Sequence, residues 1–273
     1  MRMRNNMLNS TNPALRDEKI WNASIAGAEN EVASVQGVVN KTGMLAVVAI
    51  LGGMLGISLV EKQPGLVIPM AILGFIATLV VYFVIMFKPM RAKYTAWIYS
   101  LVQGAFLGTI AYSLEGLLES MGYEAMGGLA LQAFVITMSV LVSMLGLYYC
   151  RILQPTKMFV SVVSVLTLGV FIAYLMLFIF GLFGVTIPWI GIGSALEGGQ
   201  TALIGLGINL FILILASLWL IIDFGLVEQH VNNGAPKQME WFCGFILMVT
   251  LVWIYLEALK LCFRLAILFG KKR

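Results

Sequence analysis

The chain is poor in the residues that soluble catalysis and cross-linking use. It holds three cysteines and a single histidine among 273 residues, and only 11% of its residues are charged. Cys150, Cys243 and Cys262 form no close pair, and no histidine but His230 exists to join them, so neither a disulfide framework nor a zinc site is on offer. They are expected to be buried thiols within helices. A Ser-His-Asp or Cys-His arrangement would have to be built on His230. That residue lies in the polar gap Glu228-Gln229-His230-Val231-Asn232-Asn233, where a solvated loop position is expected. No Walker loop or dinucleotide fingerprint occurs, so the chain is not expected to be an enzyme or to hold a cofactor. An ordinary soluble domain carries roughly a quarter of its residues as charges. The 17 basic and 13 acidic residues here fall well short, and the cations sit in separate gaps, so no nucleic-acid-binding stripe forms.

What is abundant is apolar: 60% of residues, with a mean hydropathy of +0.96. Such a chain cannot cover itself for water, and its partner is a lipid bilayer. Apolar runs cover residues 43–60, 66–87, 95–114, 126–149, 158–183, 201–222 and 241–269. Each approaches or exceeds the roughly 20 residues that cross a hydrocarbon core of about 30 Å as a helix. Unpaired strand edges cannot sit in lipid, which leaves helices. The expected fold class is therefore an all-α integral membrane protein with seven transmembrane helices. A polar arm spans residues 1–42 and the membrane domain residues 43–273.

Arg2, Arg4, Arg16, Lys19 and Lys41 in the arm share one side with Lys88, Arg91, Lys93, Arg151, Lys157 and Lys237 in alternate gaps. The other gaps hold Lys62 and the acids Glu61, Glu115, Glu119, Glu124 and Glu197. This asymmetry places the N-terminus in the cytoplasm. Lys271-Lys272-Arg273 would then lie outside, against the trend, but late charges carry less weight. The arm lacks the apolar core of a secretory signal. Gly52-x-x-x-Gly56 and Gly104-x-x-x-Gly108 each put two glycines on one helix face, and packing within the chain is expected of them rather than dimerisation. Trp189, after Gly184 and Pro188, suits an interface belt.

An ionisable side chain inside a membrane is a candidate site by default. Asp223 ends the sixth run, and Glu257 lies deep in the seventh. Gln103, Gln132 and Asn209 are polar residues within the third, fourth and sixth runs and candidates to line a pathway; Glu228 and Glu240 are secondary acids. Two readings stand at this point. Asp223 and Glu257 share a proton, or when ionised offer hard oxygens to a passing calcium ion. Alternatively Asp223 marks a helix end, while Glu257, Lys260 and Arg264 recur at i, i+3 and i+7 as an ion-pair row on one face. The two acids can approach only if the sixth helix continues past Asp223 toward His230 and the seventh runs on to about Phe269.

Several stretches resemble the Bax inhibitor-1 family of the transmembrane Bax inhibitor motif superfamily, and more closely its YccA-like bacterial branch. They are Lys41-Thr-Gly-Met-Leu45, Phe87-Lys-Pro89, Tyr99-Ser-Leu-Val-Gln-Gly-Ala-Phe-Leu-Gly108, Asp223-Phe-x-x-x-Glu228, Gly234-Ala-Pro-Lys-Gln-Met-Glu-Trp241 and Thr250-Leu-Val-Trp-Ile-Tyr-Leu-Glu-Ala-Leu-Lys260. The resemblance implies seven helices with the last one central, and a bacterial inner membrane, or an intracellular one in a eukaryote. It implies a pH-sensitive calcium leak gated by an acid pair that matches Asp223 and Glu257. For the YccA-like branch it implies instead a regulatory protein that engages a membrane-bound protease of the AAA type. The sequence departs from the family in three respects: the stretch between Asp223 and Glu257 is longer than in the calcium-leak relatives, residues 66–87 hold no cation where those relatives use an arginine partner, and Gln103 and Gly225 stand where acids are usual in the YccA-like branch.

Overall fold

The computed structural model describes residues 32–123, 127–184, 191 and 193–270. Among them are seven helices long and apolar enough to cross a membrane. They are α1 (Val35–Lys62), α2 (Val67–Phe87), α3 (Ala92–Ser120), α4 (Leu129–Tyr149), α5 (Lys157–Leu182), α6 (Gly199–Asn232) and α7 (Met239–Phe269). One helical turn, Ser194–Glu197, precedes α6. The protein is an all-α, multi-pass membrane protein. The 21 residues of α2 rise about 32 Å, enough for one crossing.

Local chemistry sets the ends. Ser34 caps α1, its side chain accepting from the Gly37 N–H at 2.9 Å. Pro64 and Pro89 open short 3-10 turns ahead of α2 and α3, where a missing N–H costs nothing. Gly234, with φ of 75°, lets the chain reverse after α6, and the Gly234 and Ala235 amides close onto the Val231 and His230 carbonyls.

Three boundaries differ from those read in the sequence. α1 starts at Val35, inside the stretch read as polar arm, because Ser34 and not the onset of apolar residues nucleates it. α3 starts and ends outside 95–114. α6 does not stop near residue 222 but continues through Asp223 to Asn232. Leu226 and Val227 beyond Asp223 are buried, so one covered face sustains the helix through polar sequence. His230 is consequently a half-buried residue in the last turn of α6 and not a loop residue. Cys243 and Cys262 are buried as expected, whereas Cys150, at the end of α4, is exposed. Residues 1–31, Glu124, Trp189 and Lys271-Lys272-Arg273 lie outside the described residues.

The chain divides into two compact units. Unit 1 comprises Met1–Ile110, Arg151–Lys157 and Ile221–Val249; unit 2 comprises Ala111–Cys150, Met158–Leu220 and Thr250–Arg273. Burial separates the helices. In the most apolar windows of α2 and α5 only 6% of residues are buried, and Phe75, Phe83, Phe171 and Phe178 are exposed, as lipid-facing helices require. In α6 and α7 the buried share of the window is 67%, the largest among the seven.

Lipid removes the hydrophobic drive between helices, so close packing must replace it. In unit 1 the two glycine pairs do this against each other. A Cβ on Gly52 or Gly56 would land on the carbonyl oxygens of Leu101 and Ala105, and one on Gly104 or Gly108 on those of Ala49 and Gly53. Both motifs thus face one another within the chain, as expected.

Candidate functional site

Glu257 lies on α7, about 27 Å of helix beyond Met239, and its side chain is 2% exposed. A carboxylate in that position must be hydrogen-bonded and charge-balanced to stay ionised. Unit 2 supplies both needs. Lys260, on the same face at i+3, donates to Glu257 Oε1 at 2.5 Å. Asn209 of α6 donates Nδ2 to Glu257 Oε2 at 2.7 Å and to the Glu257 backbone carbonyl at 3.1 Å. Tyr174 of α5 completes the cluster: its hydroxyl accepts from Lys260 Nζ at 3.0 Å and lies 3.4 Å from Glu257 Oε1. The ammonium also stands 5.2 Å from the centre of the tyrosine ring.

The chemistry available is that of a neutralised ion pair with a reserve donor. Lys260, whose side chain is 22% exposed, is held by Glu257 and by the Tyr174 hydroxyl together. Asn209 fixes the carboxylate, because its amide is tied to the Glu257 backbone as well.

Of the ion-pair row read from the sequence, Glu257 and Lys260 pair, but Arg264 does not join them. Its guanidinium donates to Ser194 Oγ at 2.7 Å and to the Gly191 carbonyl at 2.9 Å. Gly205 of α6 makes room for it, since a Cβ there would occupy the space of Arg264 Nη1.

The other candidates lie on several helices. Asp223 is buried on α6 in unit 1, about 14 Å of helix before Asn232, whereas Glu257 and all its hydrogen-bond partners named above belong to unit 2. Gln103 is buried on α3 and accepts from the Thr78 hydroxyl of α2 at 2.7 Å within unit 1. Gln132 is half-buried on α4, and Glu228 is exposed near the end of α6. Gly225, where the resemblance leads one to expect an acid, packs so closely on the Pro155 ring that a Cβ would strike Pro155 Cγ. Among the described residues no group of three or more His, Cys, Asp or Glu side chains is placed to hold a metal ion.

Glu240 proves to be a second buried, paired acid. It sits in the first turn of α7 and is paired with Lys41 of α1. It also accepts from the Ser34 amide at 2.9 Å and the Ser34 hydroxyl at 3.3 Å. Lys41 lies 5.4 Å from the Trp241 ring, which packs against Trp97 at 5.0 Å. The Ala33 amide donates to the Ala235 carbonyl at 2.7 Å, and Val32 and Pro236 form an antiparallel bridge. All of these residues belong to unit 1. Sequence reasoning named Glu240 but missed its partners, because 199 positions separate it from Lys41. Tyr174 was also missed, although a tyrosine inside an otherwise apolar run is the kind of polar exception that marks such a place.

Comparison with curated proteins and with solved structures finds no match. A family model does: the one described as Bax inhibitor 1 like matches residues 12–267, nearly the whole chain, and so the chain belongs to the Bax inhibitor 1 like family.

Proposed function

We propose that the protein is a proton-responsive cation leak, calcium being the ion its family resemblance suggests, and that Glu257 is the group that responds. The observation carrying this reading is the burial of Glu257 on α7 with a lysine that is only partly buried as its counter-ion. In the ionised state the Glu257–Lys260 pair is neutral and closed. Protonation releases Lys260 and opens the polar track of Asn209 and Tyr174 that the pair blocks. Asp223, buried on α6 within unit 1, is the second acid proposed to matter for function. The orientation that goes with this reading has the N-terminus in the cytoplasm, supported by the distribution of lysine and arginine. The membrane proposed is a bacterial inner membrane.

The test is calcium-dye flux in liposomes between about pH 6 and about pH 8. Flux in the parent rises as pH falls. Glu257→Gln, permanently neutral, leaks already at the higher pH and loses the pH response, and Asp223→Asn alters the flux. Equal flux in all three proteins at every pH removes the reading.

A second reading has its own support. Val32, Ala33 and Ser34 are fastened to Ala235, Pro236 and Glu240, which gives the segment before α1 a fixed root. A regulator that engages a membrane-bound AAA-type protease through its N-terminal segment would use such a mount. Deleting residues 1–25 then changes the turnover of both proteins while leaving flux unchanged; unaltered turnover counts against it.

A further inference from the structure

Successive membrane-crossing helices are joined alternately at one face of the bilayer and the other, so the start of α1 and the α2–α3 turn share a face. Packing agrees: Lys41 of α1 stands 5.4 Å from the Trp241 ring of α7, and that ring packs on Trp97 of α3. The same alternation assigns residues 151–157 and the α6–α7 turn to this face. In unit 1 the face carries seven described lysines and arginines against three described acids, Asp223, Glu228 and Glu240. Setting every one of those acids against a cation still leaves four.

The α2–α3 turn concentrates this excess. Lys88, Arg91 and Lys93 are all exposed, residues 63–114 contain no acid, and none of the three forms an ion pair with a described residue. The turn is held in shape. Pro89 is buried, the Arg91 amide donates to the Lys88 carbonyl at 2.9 Å, and the Thr95 hydroxyl donates to the Arg91 carbonyl at 2.9 Å. Ala92 and Ala96 are fully buried, so the opposite face of α3 turns outward. That face exposes Tyr94, Ile98 and Leu101 at i, i+4 and i+7. On the other side of the turn Phe83 and Phe87 stack at 6.3 Å, and Phe87 is 76% exposed.

We propose that the α2–α3 turn is a docking surface for an anionic phospholipid, whose headgroup meets Lys88, Arg91 and Lys93 while its acyl chains lie along Tyr94, Ile98 and Leu101. The order of chemistry along the protein surface, cationic, then aromatic, then aliphatic, is the order along such a lipid from phosphate to chain. Arg91 presents a planar fork suited to phosphate oxygens. A zwitterionic lipid matches the apolar residues and leaves the excess charge unanswered. A soluble acidic partner matches the charge and leaves the apolar stripe uncovered. The surface stands apart from Glu257 and requires no conduction.

The measurement is lipid binding to the purified full chain in detergent, read by native mass spectrometry, with phosphatidylglycerol in one arm and phosphatidylcholine in the other. The parent prefers phosphatidylglycerol by at least about tenfold, and the preference shrinks as salt rises. Arg91→Gln alone loses about fivefold of it. The triple variant Lys88→Gln, Arg91→Gln, Lys93→Gln binds both lipids alike and, because all three side chains are exposed, keeps the parent's Tm. Lys62→Gln, which removes an exposed cation of unit 1 at the far end of α1, leaves the preference intact. Glycerol 1-phosphate, a charged head without acyl chains, does not displace the lipid at equal concentration; displacement would make this a site for a soluble anion and overturn the lipid as its occupant. Equal binding of the two lipids by the parent, a preference that survives in the triple variant, or one lost equally in Lys62→Gln overturns the proposal.

Discussion

Both units bury a glutamate of α7, and each glutamate faces a lysine that is only partly covered. The resemblance ends there. In unit 1, Glu240 lies in the first turn of α7, where the free amides and the helix dipole favour a negative charge. Its lysine comes from α1, its other donors from the residue that caps α1, and the Gly37 position is empty of side chain so that the carboxylate can sit against the helix. Four chain features converge on one carboxylate. In unit 2, Glu257 stands mid-helix with no help from a terminus, and its lysine is a neighbour on the same helix at i+3. That lysine reaches one other element, α5, through the Tyr174 hydroxyl. Glu240 is therefore a clasp that holds α1 to α7, whereas Glu257 draws its counter-ion from its own helix.

The contrast predicts different losses. Glu240→Gln, leaving Lys41 without its acid, destabilises the protein by about 3–5 kcal/mol in detergent unfolding, the cost of breaking one side of a buried pair; the double change with Lys41→Met recovers part of it. Glu257→Gln costs less, about 1–3 kcal/mol, because Lys260 is partly exposed and keeps Tyr174. An equal or larger loss at Glu257 would erase the distinction. Gly104→Val forces a side chain onto the Ala49 carbonyl and costs about 1–3 kcal/mol, whereas Gly146→Ala, with open space around it, changes Tm little. Asn209→Leu removes two hydrogen bonds to Glu257, for about 1–2 kcal/mol, and shifts the pH response of flux if the polar cluster is the responding unit. The smallest effect is Thr78→Val: about 1 kcal/mol, from the lost donor to Gln103, with flux unchanged.

Much of the scaffold was legible in the sequence, because lipid tolerates so few backbone solutions. Run length alone gave seven helices, and the spacing of Gly52, Gly56, Gly104 and Gly108 gave the face they use. The i, i+3 spacing of Glu257 and Lys260 gave their pairing, since helix geometry is local. Arg264 satisfied the same periodicity and still went elsewhere: Ser194, Gly191 and the gap left by Gly205 are tertiary facts with no periodic trace. Helix ends misled wherever apolar content stood in for capping, at Ser34 and again past Asp223. The clasp was invisible for the simplest reason, that Ser34 and Lys41 lie some 200 residues from Glu240. A meeting of Asp223 with Glu257 rested on family resemblance and on helix lengths; α6 and α7 do have the lengths it requires, and the acids fall in different units.

The central claim is that Glu240 holds the fold together at the start of α7, whereas the fold tolerates loss of the Glu257 carboxylate. Unfolding of the purified protein in detergent, with Glu240→Gln and Glu257→Gln beside the parent, reads this directly. Glu240→Gln loses about 3–5 kcal/mol and Glu257→Gln less, about 1–3 kcal/mol. A loss in Glu257→Gln that equals or exceeds that in Glu240→Gln contradicts the claim.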